Sequence, residues 1–147
     1  VNIVLEILKG SKIMHGIVNW FVLSNIFGND FQFTNALIEY VRSEPLSGDI
    51  SMEFVISNKV INPPAKWKQW DKVYVKIDFS FVRKLYYRIK NKQFMIQTFA
   101  IRTQEQAFCM EIRDRNCNII EFEFEAARIQ NVKPLIYNEE YGRYEVC

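Results

Sequence analysis

The sequence contains little of what most catalytic sites need. His15 is the only histidine, so a site with several histidine ligands cannot form within one chain. The five glycines are too dispersed for a phosphate-binding or dinucleotide-binding loop, which needs several glycines close together. The three cysteines include no CxxC pair and do not have zinc-ligand spacing. These absences predict a protein without enzymatic activity, cofactor or bound metal.

Long apolar runs are also missing. No uninterrupted stretch approaches the roughly 20 residues of a membrane span, and the start has no signal-peptide pattern. The chain begins at Val1 rather than Met, which predicts a fragment or a processed chain. Its odd number of cysteines favours reduced thiols and an intracellular location. Cys109 and Cys117 flank a predicted turn, however, and a disulfide between them is geometrically conceivable.

Acidic residues are scarce in one part of the chain. From Lys59 to Lys92 there are ten Lys or Arg and two acids, a charge of +8, whereas the whole chain carries +2. A basic segment of this kind either contacts an anionic partner or is neutralised by acids elsewhere in the fold. Glu121, Glu123 and Glu125 share one face of a predicted strand and are the candidates for neutralisation, with Lys72 or Lys76 as the cations beside them.

The first 45 residues predict helices. Apolar residues recur at helical spacing over Ile3–Leu8 and again from Ile13 to Phe27, and Gly28 favours an end there. Thr34 can cap a second helix, which Pro45 would end.

The rest of the chain predicts strands. The clearest alternation of apolar and polar residues runs from Val73 to Phe81. Helices followed by strands predict an α+β fold, with N-terminal helices packed on a curved antiparallel sheet of about five to six strands. We expect a single domain over residues 1–132 and a C-terminal extension, 133–147, that needs a surface to lie on. The other predicted strands are Ile50–Ile56, Leu85–Lys90, Phe94–Arg102, Phe108–Ile112 and Ile120–Phe124.

A short motif, Asp30-Phe31-Gln32-Phe33, lies between the two predicted helices and ahead of the strands. This order resembles the nuclear transport factor 2-like, or cystatin-like, fold. The resemblance implies a cone-shaped sheet, frequent dimerisation through that sheet and a pocket inside the cone. Enzymes with this fold use His and Asp pairs in the pocket. Because the one histidine, His15, falls on the predicted N-terminal helix, the resemblance implies no catalytic residue here.

Aromatic and basic residues mark three candidate binding regions. Two prolines stiffen the loop from Asn62 to Trp70, and its tryptophans can stack on a ligand or instead cover an end of the core. Tyr86 and Arg88 share a strand face, and three tyrosines lie in the tail. The candidate partner-binding residues are Lys66, Trp67, Lys68, Trp70, Tyr86, Arg88, Lys90, Lys92, Tyr137, Tyr141 and Tyr144.

These features predict a non-enzymatic binding or assembly module that acts through its sheet face, its Trp-containing loop and its tail. The expected partner is another protein or a second copy of the chain, with no membrane span. An RNA-binding or single-stranded nucleic-acid-binding domain is the alternative, because stacked aromatics beside cations suit both. A small-ligand binder or enzyme with a pocket inside the sheet is the second alternative. For the basic segment, an acidic protein surface is favoured slightly over RNA.

Overall fold

The structure is a computed structural model that describes residues 13, 14 and 16–147. The helix predicted over Ile3–Leu8 and the single histidine, His15, lie outside the described residues. Within them, strands dominate, and the one helix is α1 (Trp20–Phe27). The strands are β1 (Ile13–Met14), β2 (Ile17–Val18), β3 (Leu37–Glu44), β4 (Asp49–Ile56), β5 (Lys72–Ser80), β6 (Arg83–Arg88), β7 (Phe94–Met95), β8 (Thr98–Gln104), β9 (Ala107–Arg113), β10 (Ile119–Phe124), β11 (Ala126–Asn138) and β12 (Arg143–Val146).

The predicted α+β fold is therefore wrong, and the second predicted helix shows why. The residues after Thr34 form β3, which pairs antiparallel with β4. The pairing shifts register between Ile38 and Tyr40. A bulge of this kind adds a residue to one strand and interrupts strict alternation, so the apolar positions of β3 resemble helical spacing. The β-branched and aromatic side chains of this segment favour a strand.

The strands form two sheets rather than the predicted one. Sheet A has the order β1-β2-β11-β5-β4-β3-β7, with β12 paired to β11, and Sheet B has the order β6-β10-β9-β8. The chain passes between the sheets at four places, after Ser80, Arg88, Met95 and Phe124. The first and the last of these places adjoin each other, because the N–H of Glu125 donates to the carbonyl of Ser80 at 3.2 Å.

The core lies between the two sheets and α1. The alternation predicted from Val73 to Phe81 is confirmed as far as Ser80, since alternate side chains of β5 are buried, whereas Phe81 is 64% exposed. The ring of Phe79 on Sheet A meets the rings of Phe122 and Phe124 on Sheet B edge-on, at 5.0 and 5.1 Å between centroids. α1 contributes the buried residues Trp20, Leu23, Ile26 and Phe27.

The segment after α1 ties the helix to both sheets. Phe31 and Phe33 are buried while Gln32 is exposed, as expected for a short extended link. The Phe33 ring lies 4.8 Å from that of Phe54 on β4 and 4.5 Å from that of Phe99 on β8. No helix in the described part of the chain is long and apolar enough to cross a membrane.

Asn118 holds the basic turn that follows β6 in place. Its side chain is 1% exposed, and its Oδ1 accepts hydrogen bonds from the N–H groups of Lys90 (2.7 Å) and Asn91 (3.1 Å). Its Nδ2 donates to Asp114 Oδ2 at 2.8 Å. One buried amide therefore connects the β9–β10 turn to the segment that carries Lys90 and Lys92.

We expect Asn118→Ala to lower the free energy of unfolding by about 2 kcal/mol, because it leaves backbone and carboxylate groups without their partner. Chemical denaturation measures this change. Asn116→Ala is the matched control, since that side chain is exposed in the same turn, and it should change stability by less than about 0.5 kcal/mol. Equal effects of the two substitutions would contradict the assignment.

Candidate functional site

The sequence left two roles open for the Trp loop, residues 62–70: binding a partner or covering an end of the core. The structure has features of both. Trp67 packs partly buried against the core, and its ring meets that of Trp70 edge-on at 5.7 Å. The N–H of Trp67 donates to the carbonyl of Pro64 at 2.9 Å, which closes a turn. Lys66 and Lys68 are exposed on the same loop. Trp67 thus covers part of the core, while the cations face solvent.

The tail, residues 133–147, lies against the beginning of β5. It continues β11 across the predicted boundary between residues 132 and 133 and returns as β12. The rings of Tyr137 and Tyr144 lie 5.2 Å apart, and the ammonium of Lys72 sits 4.7 Å above the Tyr144 ring. The N–H of Tyr137 donates to Asp71 Oδ2 at 2.8 Å. Tyr141, near the tip of this hairpin, is 62% exposed.

The tail and the Trp loop are neighbours. Cys147 donates its thiol proton to the carbonyl of Gln69 at 3.3 Å, and the N–H of Asp71 donates to the carbonyl of Leu135 at 2.7 Å. The structure therefore brings two of the three candidate regions together, whereas the third lies on Sheet B. The anchoring role of Asp71 and Lys72 was missed from sequence, because only the fold places them beside the tail.

The third region is the β6 edge, residues 83–92. In Sheet B, β6 is an end strand that pairs with β10 alone among the described strands. Tyr86, Tyr87 and Ile89 are 50%, 66% and 50% exposed. Tyr87 and Ile89 were not among the predicted site residues, although they lie in the same basic run. The β6 edge contains no acidic residue. Its cations are Arg83, Lys84, Arg88, Lys90 and Lys92.

Two of the three glutamates on the predicted strand face, Glu121 and Glu123, form ion pairs in the structure. Arg113 Nε donates to Glu111 at 2.6 Å, and its NH2 group donates to Glu121 at 3.0 Å. Lys84 lies 3.3 Å from Glu123. The expectation that Lys72 or Lys76 would answer these glutamates is wrong, since both lysines belong to β5 in Sheet A.

Most of the basic segment keeps its charge. Six cations of this segment are candidates for neutralisation by acidic residues of the fold. One of them, Lys84, forms an ion pair with a residue in the described part of the chain. Arg88 donates its Nε to the carbonyl of Cys117 at 3.3 Å, which does not neutralise it. The excess positive charge is therefore exposed on the Trp loop and the β6 edge. The six cations are Lys66, Lys68, Lys84, Arg88, Lys90 and Lys92.

Sheet A carries polar pairs on its outer face that were not identified from sequence. Tyr74 donates its hydroxyl proton to Glu53, and Ser51 Oγ donates to Asp78 Oδ1 at 2.6 Å. Burial raises the pKa of Tyr74, and the hydrogen bond to the carboxylate of Glu53 raises that pKa further. The sequence signal for these pairs is the row of polar residues that alternates with the buried ones on β4 and β5. Periodicity shows that these residues share a face, but it does not show which residue on the next strand each of them contacts.

We expect Tyr74 to ionise at a higher pH than a free tyrosine, whose pKa is about 10, in an alkaline titration followed by ultraviolet absorption. Because its folded-state pKa is raised, its contribution to stability is complete below about pH 10 and is lost as the pH rises through the raised pKa. Tyr74→Phe should remove an ionisation step above pH 10. A Tyr74→Phe variant whose titration is unchanged above pH 10 would contradict this.

Three clefts among the described residues have volumes of about 190, 240 and 240 Å³. A cleft of about 190 Å³ is bounded by Trp20, Phe31, Phe33 and Phe99 among others, below the roughly 300–1,000 Å³ of ligand pockets. No group of three or more His, Cys, Asp or Glu among residues 16–147 is arranged to hold a metal ion.

Comparison with known proteins identifies the family. Residues 19–135, most of the chain, match the family model described as immunity protein 50. The chain belongs to the immunity protein 50 family. Membership of this family indicates a role in protein interaction. The matched region contains the Trp loop and the β6 edge and ends at Leu135, before the three tail tyrosines.

No curated protein and no solved structure gave a significant match. The family match does not bear on the resemblance to nuclear transport factor 2-like proteins. The α+β architecture that this resemblance implied is the part that the strand-dominated structure contradicts.

Proposed function

We propose that this protein is an immunity protein that binds a toxin and neutralises it by forming a stoichiometric complex inside the cell. The observation that carries the proposal is the match of residues 19–135 to the immunity protein 50 family. The role is binding rather than catalysis, in keeping with the single histidine and the absence of phosphate-loop and CxxC motifs.

The proposed binding surface consists of the exposed aromatic and basic residues. Protein interfaces are enriched in tyrosine, tryptophan and arginine, and charge on the rim accelerates association with a partner of opposite charge. The uncompensated cations of the Trp loop and the β6 edge favour an acidic surface on the toxin. The proposed contacts are Lys66, Trp67, Lys68, Trp70, Tyr86, Arg88, Lys90, Lys92, Tyr137, Tyr141 and Tyr144.

Coexpression tests the function. The products of the genes that neighbour the gene for this chain are expressed singly in a sensitive host, with and without this chain. We expect one of them to stop growth, this chain to restore growth, and the two proteins to elute together at a fixed ratio in size-exclusion chromatography. Protection by a substoichiometric amount without a complex would indicate an enzyme and overturn the proposal, as would the absence of any protection.

RNA binding is the alternative that the exposed pair Tyr86 and Arg88 favours, since an aromatic ring beside a cation can stack on a base. A titration with a single-stranded RNA oligonucleotide at several salt concentrations separates the two functions. Micromolar binding with a steep salt dependence, together with no toxin complex, would select the alternative.

A further inference from the structure

We infer that the toxin docks on the open edge of β6, where an extended acidic segment of the toxin adds to Sheet B as a fifth strand. This inference rests on the proposed function and gives it a location and a partner chemistry.

The backbone of β6 is available for such pairing. The strand lies at the end of Sheet B and is hydrogen-bonded on one side only among the described strands. An end strand presents a row of backbone donors and acceptors that another chain can complete. The register opposite β10 is regular from Tyr86 to Arg88, and it shifts nearer the start of the strand, where Lys84 has a φ of 54°. The regularly paired residues of β6, Tyr86 to Arg88, are therefore the ones to which a partner strand would add.

The side chains of β6 define the pattern of the incoming strand. Tyr86 pairs with Glu121 in the register, so it lies on the outer face of Sheet B, and Arg88 shares that face because side chains alternate. Leu85 and Tyr87 lie on the other face. A complementary strand would carry acidic residues opposite Arg88 and apolar residues opposite Tyr87.

The charge of the β6 edge determines which kind of partner strand can pair with it. The β6 edge carries five cations and no acid, so pairing with a second copy would place like charges opposite each other. Lysine on an end strand is a common protection against self-association. The same charges attract an acidic segment, which selects the toxin over a homodimer.

The other exposed regions fit this role less well. The Trp loop and the tail already contact each other, and Trp67 is partly committed to the core. The opposite end strand of Sheet B, β8, has no strongly exposed large apolar or aromatic side chain, whereas the β6 edge has three.

The decisive experiment compares two charge reversals of equal size. The variant Arg88→Glu/Lys90→Glu changes the β6 edge, and Arg42→Glu/Arg128→Glu makes the same change at exposed positions of Sheet A, outside the proposed contacts. Calorimetric titration uses the toxin identified by the growth assay. We expect the first variant to lose at least about a hundredfold in affinity and the second less than about tenfold. Arg88→Gln/Lys90→Gln repeats the test if the glutamate variant does not fold.

Amide hydrogen exchange gives an independent readout. Complex formation should slow exchange in the segment 85–88, because added strand pairing protects backbone N–H groups. Wild-type affinity of the β6 variant, or unprotected amides in the complex, would overturn the docking site. If growth protection persists in either case, the proposed function stands and only its location is wrong.

Peptides test the edge without the toxin. The probes are blocked peptides of about ten residues, near the upper end of strand lengths, that alternate Val with Glu or with Lys. A third peptide is the acidic one with alternate amides N-methylated. We expect the acidic peptide to shift the NMR resonances of 85–88 and the other two to bind at least tenfold more weakly. Equal binding of all three would overturn strand addition.

Discussion

Replacement of Val75 by Asp is expected to lower the free energy of unfolding by about 4 kcal/mol, which is enough to unfold much of the protein. Val75 is 0% exposed and lies in the middle of β5, opposite Phe54 on β4 and Val132 on β11. A carboxylate there would have no ionic partner and would be buried between the two sheets. Chemical denaturation or the loss of soluble protein on expression measures the effect.

Val41→Asp is the control for this prediction, since it makes the same change on β3 at a side chain that is 40% exposed. Water solvates the carboxylate there, so the cost should stay near or below about 1 kcal/mol. Similar losses at the two positions would show that strand propensity, rather than burial, determines the result.

Neutralisation of Lys66, Lys68, Lys90 and Lys92 with Gln is expected to weaken toxin binding by about thirtyfold, or roughly 2 kcal/mol. These side chains form no ion pair with any described residue, so they add little to stability. The thermal midpoint should therefore remain nearly unchanged. Titration calorimetry at two salt concentrations should show a smaller salt dependence for the variant.

Four exposed arginines elsewhere provide the matched control, namely Arg42, Arg102, Arg115 and Arg128. Their replacement by Gln changes the net charge equally but leaves the Trp loop and the β6 edge intact. An equal loss of affinity would mean that overall charge, not the position of the lysines, attracts the toxin. A large fall in the thermal midpoint of the lysine variant would mean that the basic segment is structural.

Periodicity identified several strands but not their arrangement. The alternation of β5 and of β10 was visible because one face of each is buried and the other is polar. The division into two sheets was not visible, because alternation gives the face of a residue and not its neighbour. The chain changes sheets four times, after Ser80, Arg88, Met95 and Phe124, and no Gly or Pro marks any of these places.

The candidate site was predictable in composition but not in geometry. The excess of cations from Lys59 to Lys92 is plain in the sequence. Whether acidic residues neutralise this excess depends on the register between the strands. That register places Arg113 between Glu111 and Glu121, so these two acids are already paired. The open edge of β6 depends on strand order, which again requires the fold.

The crossings between the sheets after Ser80 and Phe124 also bear on how fast the protein can fold. The contact between Ser80 and Glu125 joins positions far apart in the chain, and Phe79 must meet Phe122 and Phe124 before the core can close. To form distant pairings of this kind, the chain must close a long loop, and the entropy lost in closing it is offset only once the contacts form. Such topologies therefore fold in milliseconds to seconds rather than in microseconds. A newly synthesised chain must therefore complete most of its length before it acquires a finished surface, and the proposed protection against a toxin would begin only after that delay.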